Sequence, residues 1–346
     1  MIKNLTIGLC GLPNSGKSTF LKLVTNIDNA IAPHMFSTLE SKEGIAFVCS
    51  QNLRSLHTLT KTEKLVMPYL KFIDVPGLIQ GAHQGQGLGN EFLSYLRGCK
   101  AIFLIARNFF DIQVPSVNIV IDPLNDIITI LTEIIFADKA IIDKSINKLL
   151  KEHNKDNKKI IEILGELAQE LDMAVEHLSN NNLDKVNFLQ FSRFNDVLKD
   201  FNLLVTKKWF LLINGLKYDL SLLENLFIKT YNLDLKWELD LLQENGDVDN
   251  INKFLYDLAL SLELIEFFTF NNLITQGWFT AKNSMIADIL PMIHSDFVKS
   301  FKIAEVVSLD DFLRCGSWEA CRQEKVIRLK GRNSFVENND IIFIKI

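Results

Sequence analysis

Gly11-Leu12-Pro13-Asn14-Ser15-Gly16-Lys17-Ser18 fits the phosphate-binding pattern G-x-x-x-x-G-K-[ST] at every fixed position. The flanks fit as well. Leu5-Thr6-Ile7-Gly8-Leu9-Cys10 reads as a buried strand, and Thr19-Phe20-Leu21-Lys22-Leu23-Val24 opens a helix. A strand–loop–helix of this length aims backbone N–H groups and a helix N-terminus at one point, which suits a phosphate chain. Gly11 and Gly16 permit torsions and close approach that a Cβ would forbid. Lys17 supplies a point charge for the outer phosphates, and the Ser18 hydroxyl is placed for Mg²⁺. Asn14, Ser15, Gly16 and Thr19 complete the candidate phosphate contacts. The plain alternative is a Gly-rich turn beside a surface lysine.

A second signal lies downstream. Lys71-Phe72-Ile73-Asp74-Val75-Pro76-Gly77 is an apolar strand ending in Asp74, with Gly77 three residues on. This D-x-x-G arrangement predicts that Asp74 holds Mg²⁺ through water and that Gly77 N–H senses a γ-phosphate. Alone it would mean little, because turns often carry it; its place after a P-loop gives it weight. Thr38, in Phe36-Ser37-Thr38, is the candidate switch threonine, with Thr58, Thr60 and Thr62 as rivals. Leu78 follows Gly77, where a glutamine would orient an attacking water. His83, in the Gly-rich run Gly81–Asn90, is the nearest titratable substitute; a bystander loop histidine is the plain alternative.

The chain has 346 residues, enough for two or three domains and a sizeable core, with 48% hydrophobic and 23% charged residues. Its net charge of −5 argues against a general positive coat for nucleic acid, and no DNA partner is expected. No apolar run approaches the roughly 18–20 residues of a membrane span, so no membrane partner is expected. Met1 leads directly into the first strand, so no leader is expected and the cytoplasm is the expected compartment. The five cysteines (10, 49, 99, 315 and 321) lack zinc-site spacing and read as packing residues in a reducing compartment.

In the middle of the chain, Asp122-Pro123 is a helix-start signal. Apolar residues then recur at helical spacing from Ile127 to Leu150. A polar break, His153–Lys159, precedes a second helical run from Ile160 to Leu171. Two helices joined by a short polar turn predict an antiparallel hairpin. Its exposed faces carry both charges, which suggests a solvated protein-contact arm. Lys208–Asn214 reads as a further buried strand. Short strand candidates at 304–307, 325–329 and 341–344 make the C-terminus β-rich. There Arg322, Lys325, Arg328, Lys330 and Arg332 cluster; they are the best candidates for nucleic-acid phosphate contact, with a solvated strand face as the alternative.

The segments G-L-P-N-S-G-K-S, Phe36–Glu40, Asp74–Leu78, Gly81–Leu93, Ile293-His294-Ser295-Asp296-Phe297-Val298-Lys299-Ser300-Phe301 and Ser308–Phe312 together resemble the Obg-like ATPases, the YchF family. The resemblance spans the chain, strong at both ends and weak between about 125 and 265. It implies an α/β P-loop NTPase G domain (1–124 and 204–270) with an inserted helical hairpin (125–203). A small β-grasp-like TGS domain (271–346) would follow. It also implies an enzyme hydrolysing ATP in preference to GTP, with Mg²⁺, and association with the ribosome's rRNA and proteins. Two rivals stand beside it: a nucleotide-gated ribosome-binding module in which hydrolysis is incidental, and a ribosome-associated GTPase.

The chain departs from the family at two places. Where GTPases read guanine with N-K-x-D and this family shows N-x-x-E, the sequence is Asn214-Gly215-Leu216-Lys217. A lysine cannot accept from guanine, so tight GTP selection is not expected unless Asp219 is the reader. Asn214 and Leu216 are the candidate nucleotide contacts on this loop. Leu233–Glu238 is a degraded match to the base-contacting loop. Only eleven residues separate Ala281 from Ile293, fewer than the family's pattern, so a trimmed C-terminal sheet is expected. Asn14 is also the candidate to help hold a monovalent cation such as K⁺.

Overall fold

Thr6–Cys10 forms β1, buried along its whole length. Its neighbours β4 (Tyr69–Asp74) and β5 (Ala101–Asn108) run parallel to it, and β6 (Lys208–Gly215) and β7 (Lys229–Leu233) continue the parallel run. β2 (Glu43–Phe47) adds an antiparallel edge, giving the order β2-β4-β1-β5-β6-β7. The computed structural model describes residues 6–31, 43–74, 88–112, 120–152, 157–245 and 249–346. The near-continuous apolar runs of β1, β5 and β6 follow from helices on both faces of a parallel sheet.

Alternate residues of β5 show the two faces. Phe103 and Ile105 point to a core shared with α1 (Lys17–Ile31), α7 (Leu235–Asn245) and α8 (Asp249–Ser261). There Phe20, Phe103, Tyr231 and Phe254 pack ring on ring. Ile102, Leu104 and Ala106 point the other way, to α3 (Leu88–Gly98), α4 (Pro123–Lys151) and α5 (Asn157–Ser179).

Helix α4 starts where the sequence signals it. The Asp122 carboxylate accepts from Leu124 and Asn125 N–H, and Pro123 occupies the first turn, where it lacks only a donor that would be orphaned anyway. α4 and α5 pack antiparallel: Lys139 pairs with Asp172 at mid-length, and Asn157 Nδ2 donates to Leu149 O near the turn. The pair is less of a free arm than its surface charge suggests. Ile127, Ile130, Leu131, Ile134 and Ile135 of α4, with Leu164, Leu167 and Leu171 of α5, join the sheet's own core. Toward the turn, Ile146 and Leu149 of α4 and Ile160 and Ile163 of α5 are partly buried against the same core.

A second sheet has the order β11-β10-β12-β8-β9-β3. It draws in β8 (Leu264–Phe270) and β9 (Ile274–Ala281), a hairpin paired over seven positions. β10 (Ile303–Ser308), β11 (Arg328–Lys330) and β12 (Asp340–Lys345) follow, with β12 parallel to β8. The short spacing after Ala281 does not leave this sheet with an open edge at β9. That edge is paired by β3 (Lys64–Val66), a segment more than two hundred residues earlier. Helix α9 (Ile286–Ile293) covers one face. Helices α2 (Gln51–Thr60), α11 (Leu309–Cys315) and α12 (Trp318–Gln323) cover the other.

The basic cluster at the C-terminus is laced with intramolecular contacts. Lys330 is buried and bonds Asp340, Glu337 and Phe335 O. Arg328 pairs with the same two carboxylates, and Arg322 pairs with Glu305. Arg332 donates to Val298 O and lies over the Phe301 ring. Intramolecular acceptors thus engage four of the five cations, while Arg322, Lys325, Arg328 and Arg332 stay exposed.

Candidate functional site

The carboxyl ends of β1, β5, β6 and β7 meet around a cavity of about 440 Å³. Ligands of open α/β sheets bind outside such strand ends. Asn14, Gly16, Lys17, Ser18 and Thr19 form one wall. The loop holds Asn14 at φ 63° and Gly16 at φ 107°, both left-handed. A Cβ on Gly16 would lie 2.3 Å from Asn214 Nδ2, and one on Gly11 would lie 2.4 Å from Ile105 O. Gly11 is therefore required by the close approach of a backbone carbonyl, and Gly16 by its left-handed backbone and the neighbouring Asn214 amide.

Lys17 is buried, and its Nζ donates to Gly11 O and Leu12 O, each at 3.0 Å. Burial lowers its pKa; Cys10 and Asp74 act in the opposite direction. A desolvated ammonium held only by two neutral carbonyls interacts strongly with an incoming anion. The Ser15 hydroxyl is buried with no hydrogen-bond partner in the protein. An orphaned hydroxyl and a cradle that a Cβ would fill both fit a phosphate group. Beneath the loop, Cys10 is fully buried, and its thiol is pushed up to about 12, so it is an inert packing group.

Ser18 Oγ donates to Asp74 Oδ2 at 2.8 Å. The structure thus brings together two of the three residues expected at Mg²⁺, fifty-six positions apart in the chain. A hydroxyl and a carboxylate are hard oxygen donors. Mg²⁺ takes one or two such protein ligands and fills its octahedron with water and phosphate oxygens. The described residues contain no cluster of three or more His, Cys, Asp or Glu suited to a metal, so a metal here needs oxygens from a ligand. Thr38, Gly77 and His83 lie outside the described residues.

Asn214 lines the cavity, yet its side chain is spent on architecture. Nδ2 donates to Ser15 O at 3.0 Å, and Oδ1 accepts from Leu235 N at 3.1 Å, tying the P-loop to the start of α7. Leu216 is 73% exposed and does not line the cavity. Its N–H and C=O are both held by Asn108. Asp219 accepts from Ser221 N–H, which holds its carboxyl below the ordinary range, and it too is absent from the cavity wall.

The far walls carry Phe109, Phe110 and Asp111 at the exit of β5 and Leu239 of α7, which sequence reasoning missed, together with Asp234 and Lys236, which lie in the stretch 233–238 read as a degraded base-contacting loop. Asp234 caps α7 by accepting from Lys236 and Trp237 N–H. Phe109 is braced by the Arg107 guanidinium, 4.4 Å above its ring. The strand-end rule was the available signal, because both groups immediately follow parallel strands.

A P-loop between β1 and α1 of a parallel sheet, with its serine bonded to an aspartate at the end of β4, places the chain among P-loop proteins of the GTPase type. A family model described as 50S ribosome-binding GTPase matches residues 6–166. A second, for the C-terminal region of YchF GTPases and described as a protein of unknown function, matches 264–346. The ribosome-binding ATPase YchF of Mycoplasma genitalium is 30% identical, with 99% of each chain covered. Obg-like ATPase 1 of Homo sapiens is 30% identical over 99% of this chain and 92% of its own. The solved structure of the Schizosaccharomyces pombe YchF GTPase superposes with a TM-score of 0.77 at 24% identity, covering 99% of this chain and 98% of that one. The chain belongs to the YchF/Obg-like ATPase family. Among the described residues, no helix is long and apolar enough to cross a membrane.

Proposed function

We propose that this protein is a Mg²⁺-dependent nucleoside triphosphatase of the YchF type, taking ATP in preference to GTP and associating with ribosomes. The observation that carries the reading is the bond between Ser18 and Asp74, beside a P-loop whose buried lysine is held by two neutral carbonyls and whose Ser15 hydroxyl has no hydrogen-bond partner among the described residues. The names of relatives as ribosome-binding ATPases support the activity and the partner. Residues 1–124 and 204–270 would form the nucleotide domain, 125–203 the inserted helices and 271–346 the TGS-like domain.

In this reading the P-loop N–H groups and Lys17 hold the β- and γ-phosphates and stabilise charge as it develops on the γ-phosphoryl group. Lys17 Nζ exchanges two neutral carbonyls for phosphate oxygens. Ser18, Asp74 and Thr38 hold Mg²⁺, which supplies neutralising charge when bound. Gly77 reports the γ-phosphate, and His83 orients water in place of the glutamine that Leu78 replaces. Asn14 is placed to help hold K⁺.

Calorimetric titration with non-hydrolysable ATP and GTP analogues, in Mg²⁺ and K⁺, tests this reading. ATP is expected to bind more tightly. Lys17→Ala is expected to weaken binding by about tenfold to a hundredfold, the worth of charge-assisted bonds. Binding that survives Lys17→Ala unchanged would sink the assignment of the loop, and tighter binding of GTP would sink the preference.

A further inference from the structure

Cys315 and Cys321 lie away from the P-loop cavity, and the fold brings them together. Cys315 ends α11, Gly316-Ser317 turns the chain, and α12 carries Cys321. Gly316 takes a left-handed φ of 81°, and its N–H donates to Phe312 O. Ser317 caps α12 by accepting from Ala320 N–H. The turn is thus fixed at both ends, and it holds the two thiols within hydrogen-bond reach of each other. Both pack into one apolar cluster with Phe312 and Trp318.

The two thiols are not equivalent. Cys315 is partly exposed, whereas Cys321 has no exposed surface. Burial, with Cys315 beside it and the Asp311 and Glu324 carboxylates nearby, pushes the Cys321 thiol up to about 12. Cys321 therefore keeps its proton and can donate it to a thiolate at Cys315. The Arg314 guanidinium, bonded to Asp311 and Glu324, is close enough to feel a charge on Cys315. A cation beside a partly exposed thiol favours the reactive thiolate. Cys10, Cys49 and Cys99 are placed differently. All three are buried, burial raises each thiol, and no second cysteine acts on any of them.

We infer that Cys315 and Cys321 are a modification site, which a peroxide converts to a reversible disulfide within the chain. The Cys315 thiolate attacks one oxygen of hydrogen peroxide. The S–O bond forms, the O–O bond breaks, and the hydroxide that leaves takes up a proton as water. Cys315 is then a sulfenic acid. The Cys321 sulfur attacks it, forming the S–S bond and breaking the S–O bond, and the departing hydroxide takes the Cys321 proton as water. Peroxide has gained two electrons, and each thiol has lost one. A protonated thiol is a slow nucleophile in solution, but here proximity compensates. A dithiol reductant reverses the step by exchange.

The test exposes the intact protein to an equimolar amount of hydrogen peroxide. It is then alkylated in denaturant, digested without reduction and mapped by mass spectrometry. The expected product is one linkage, Cys315 to Cys321, lighter by two hydrogens, with Cys10, Cys49 and Cys99 recovered alkylated. Dithiothreitol should restore both thiols. The same treatment of the urea-unfolded chain should scatter linkages among the five cysteines. In Cys321→Ala, Cys315 should stop at the sulfenic acid and be trapped by dimedone. In Cys315→Ala, Cys321 should stay reduced. The inference is overturned if the native protein forms no such linkage, scatters linkages as the unfolded chain does, or links between chains. Oxidation of Cys321 in the absence of Cys315 overturns the assigned order. The parent's linkage map needs no substitution, so misfolding of a variant does not touch it.

Discussion

Asp138→Ala is expected to cost about 3–5 kcal/mol of folding stability, the usual loss when one partner of a buried ion pair is removed. Asp138 sits midway along α4 with no exposed surface. Its Oδ2 accepts from Val205 N–H at 2.8 Å, and Arg97 Nη1 approaches Oδ1 at 2.7 Å as an ionic contact rather than an aligned hydrogen bond. The same guanidinium nitrogen donates to Asn202 O. One carboxylate thus joins α4 to α3 and to the turn that feeds β6. Burial raises its pKa, and Arg97 and the Val205 N–H oppose that shift. Alanine leaves the Val205 N–H buried and unpaired and strips Arg97, itself only 17% exposed, of its counter-charge. Asp138→Asn keeps an acceptor for Val205 and should cost about half as much. Urea unfolding followed by far-UV circular dichroism measures both. A loss under about 1 kcal/mol for Asp138→Ala would mean that water replaces the carboxylate and that this junction is not held by the pair.

Legibility from the sequence followed the range of the interaction. The P-loop was readable because its requirements lie within eight consecutive residues: left-handed backbone at Gly16, close approach at Gly11, and a lysine and a serine at fixed offsets. The start of α4 at Asp122-Pro123 was readable for the same reason. Asp74 was readable because it ends an apolar strand. The far wall of the cavity was legible only in part: Lys236 lies in the stretch 233–238 read from the sequence, but Asp111, 125 positions earlier, meets it only when β5 and α7 are placed beside each other. The task given to Asn214 depends on Ser15, 199 residues away. β3 was invisible for a related reason: Lys64–Val66 is three residues long and has no alternation to detect, and its partner β9 begins at Ile274. The ion pairs of the basic strand were hidden differently. Glu337 and Asp340 lie within twelve residues of Arg328, so the counter-charges were in plain view, but the turn that folds them back onto β11 was not.

Stability is expected to fall as pH rises from about 4.5 to about 7, by up to about 3 kcal/mol, because of Glu266, and Glu266→Gln is expected to abolish that slope. Glu266 lies in β8 with no exposed surface, and neither carboxyl oxygen has a hydrogen-bond partner in the protein. Burial pushes its pKa up to about 7 from an ordinary 4.5, and the nearby Ser50 hydroxyl, already engaged in capping α2, only partly offsets this. Its titratable neighbours do not relieve it: Cys49 and Tyr256 are themselves shifted upward, partly by the charge that Glu266 would carry. The sign follows from proton counting. Between the two pKa values the native state retains a proton that the unfolded chain has released, so raising the pH favours the unfolded chain. Below that window both states are protonated and above it both are ionised, so the contribution is flat at either end. A glutamine has the shape of the protonated acid and no charge to desolvate. The variant should match the parent at pH 4 and exceed it by up to about 3 kcal/mol at pH 8. Urea midpoints of the two proteins at pH 4, 6 and 8 decide the matter. Parallel pH profiles would show that water or a shifted neighbour solvates the carboxylate. Diverging profiles would identify Glu266, wedged between β8, α2 and Gly277 of β9, as a charge the fold excludes near neutral pH.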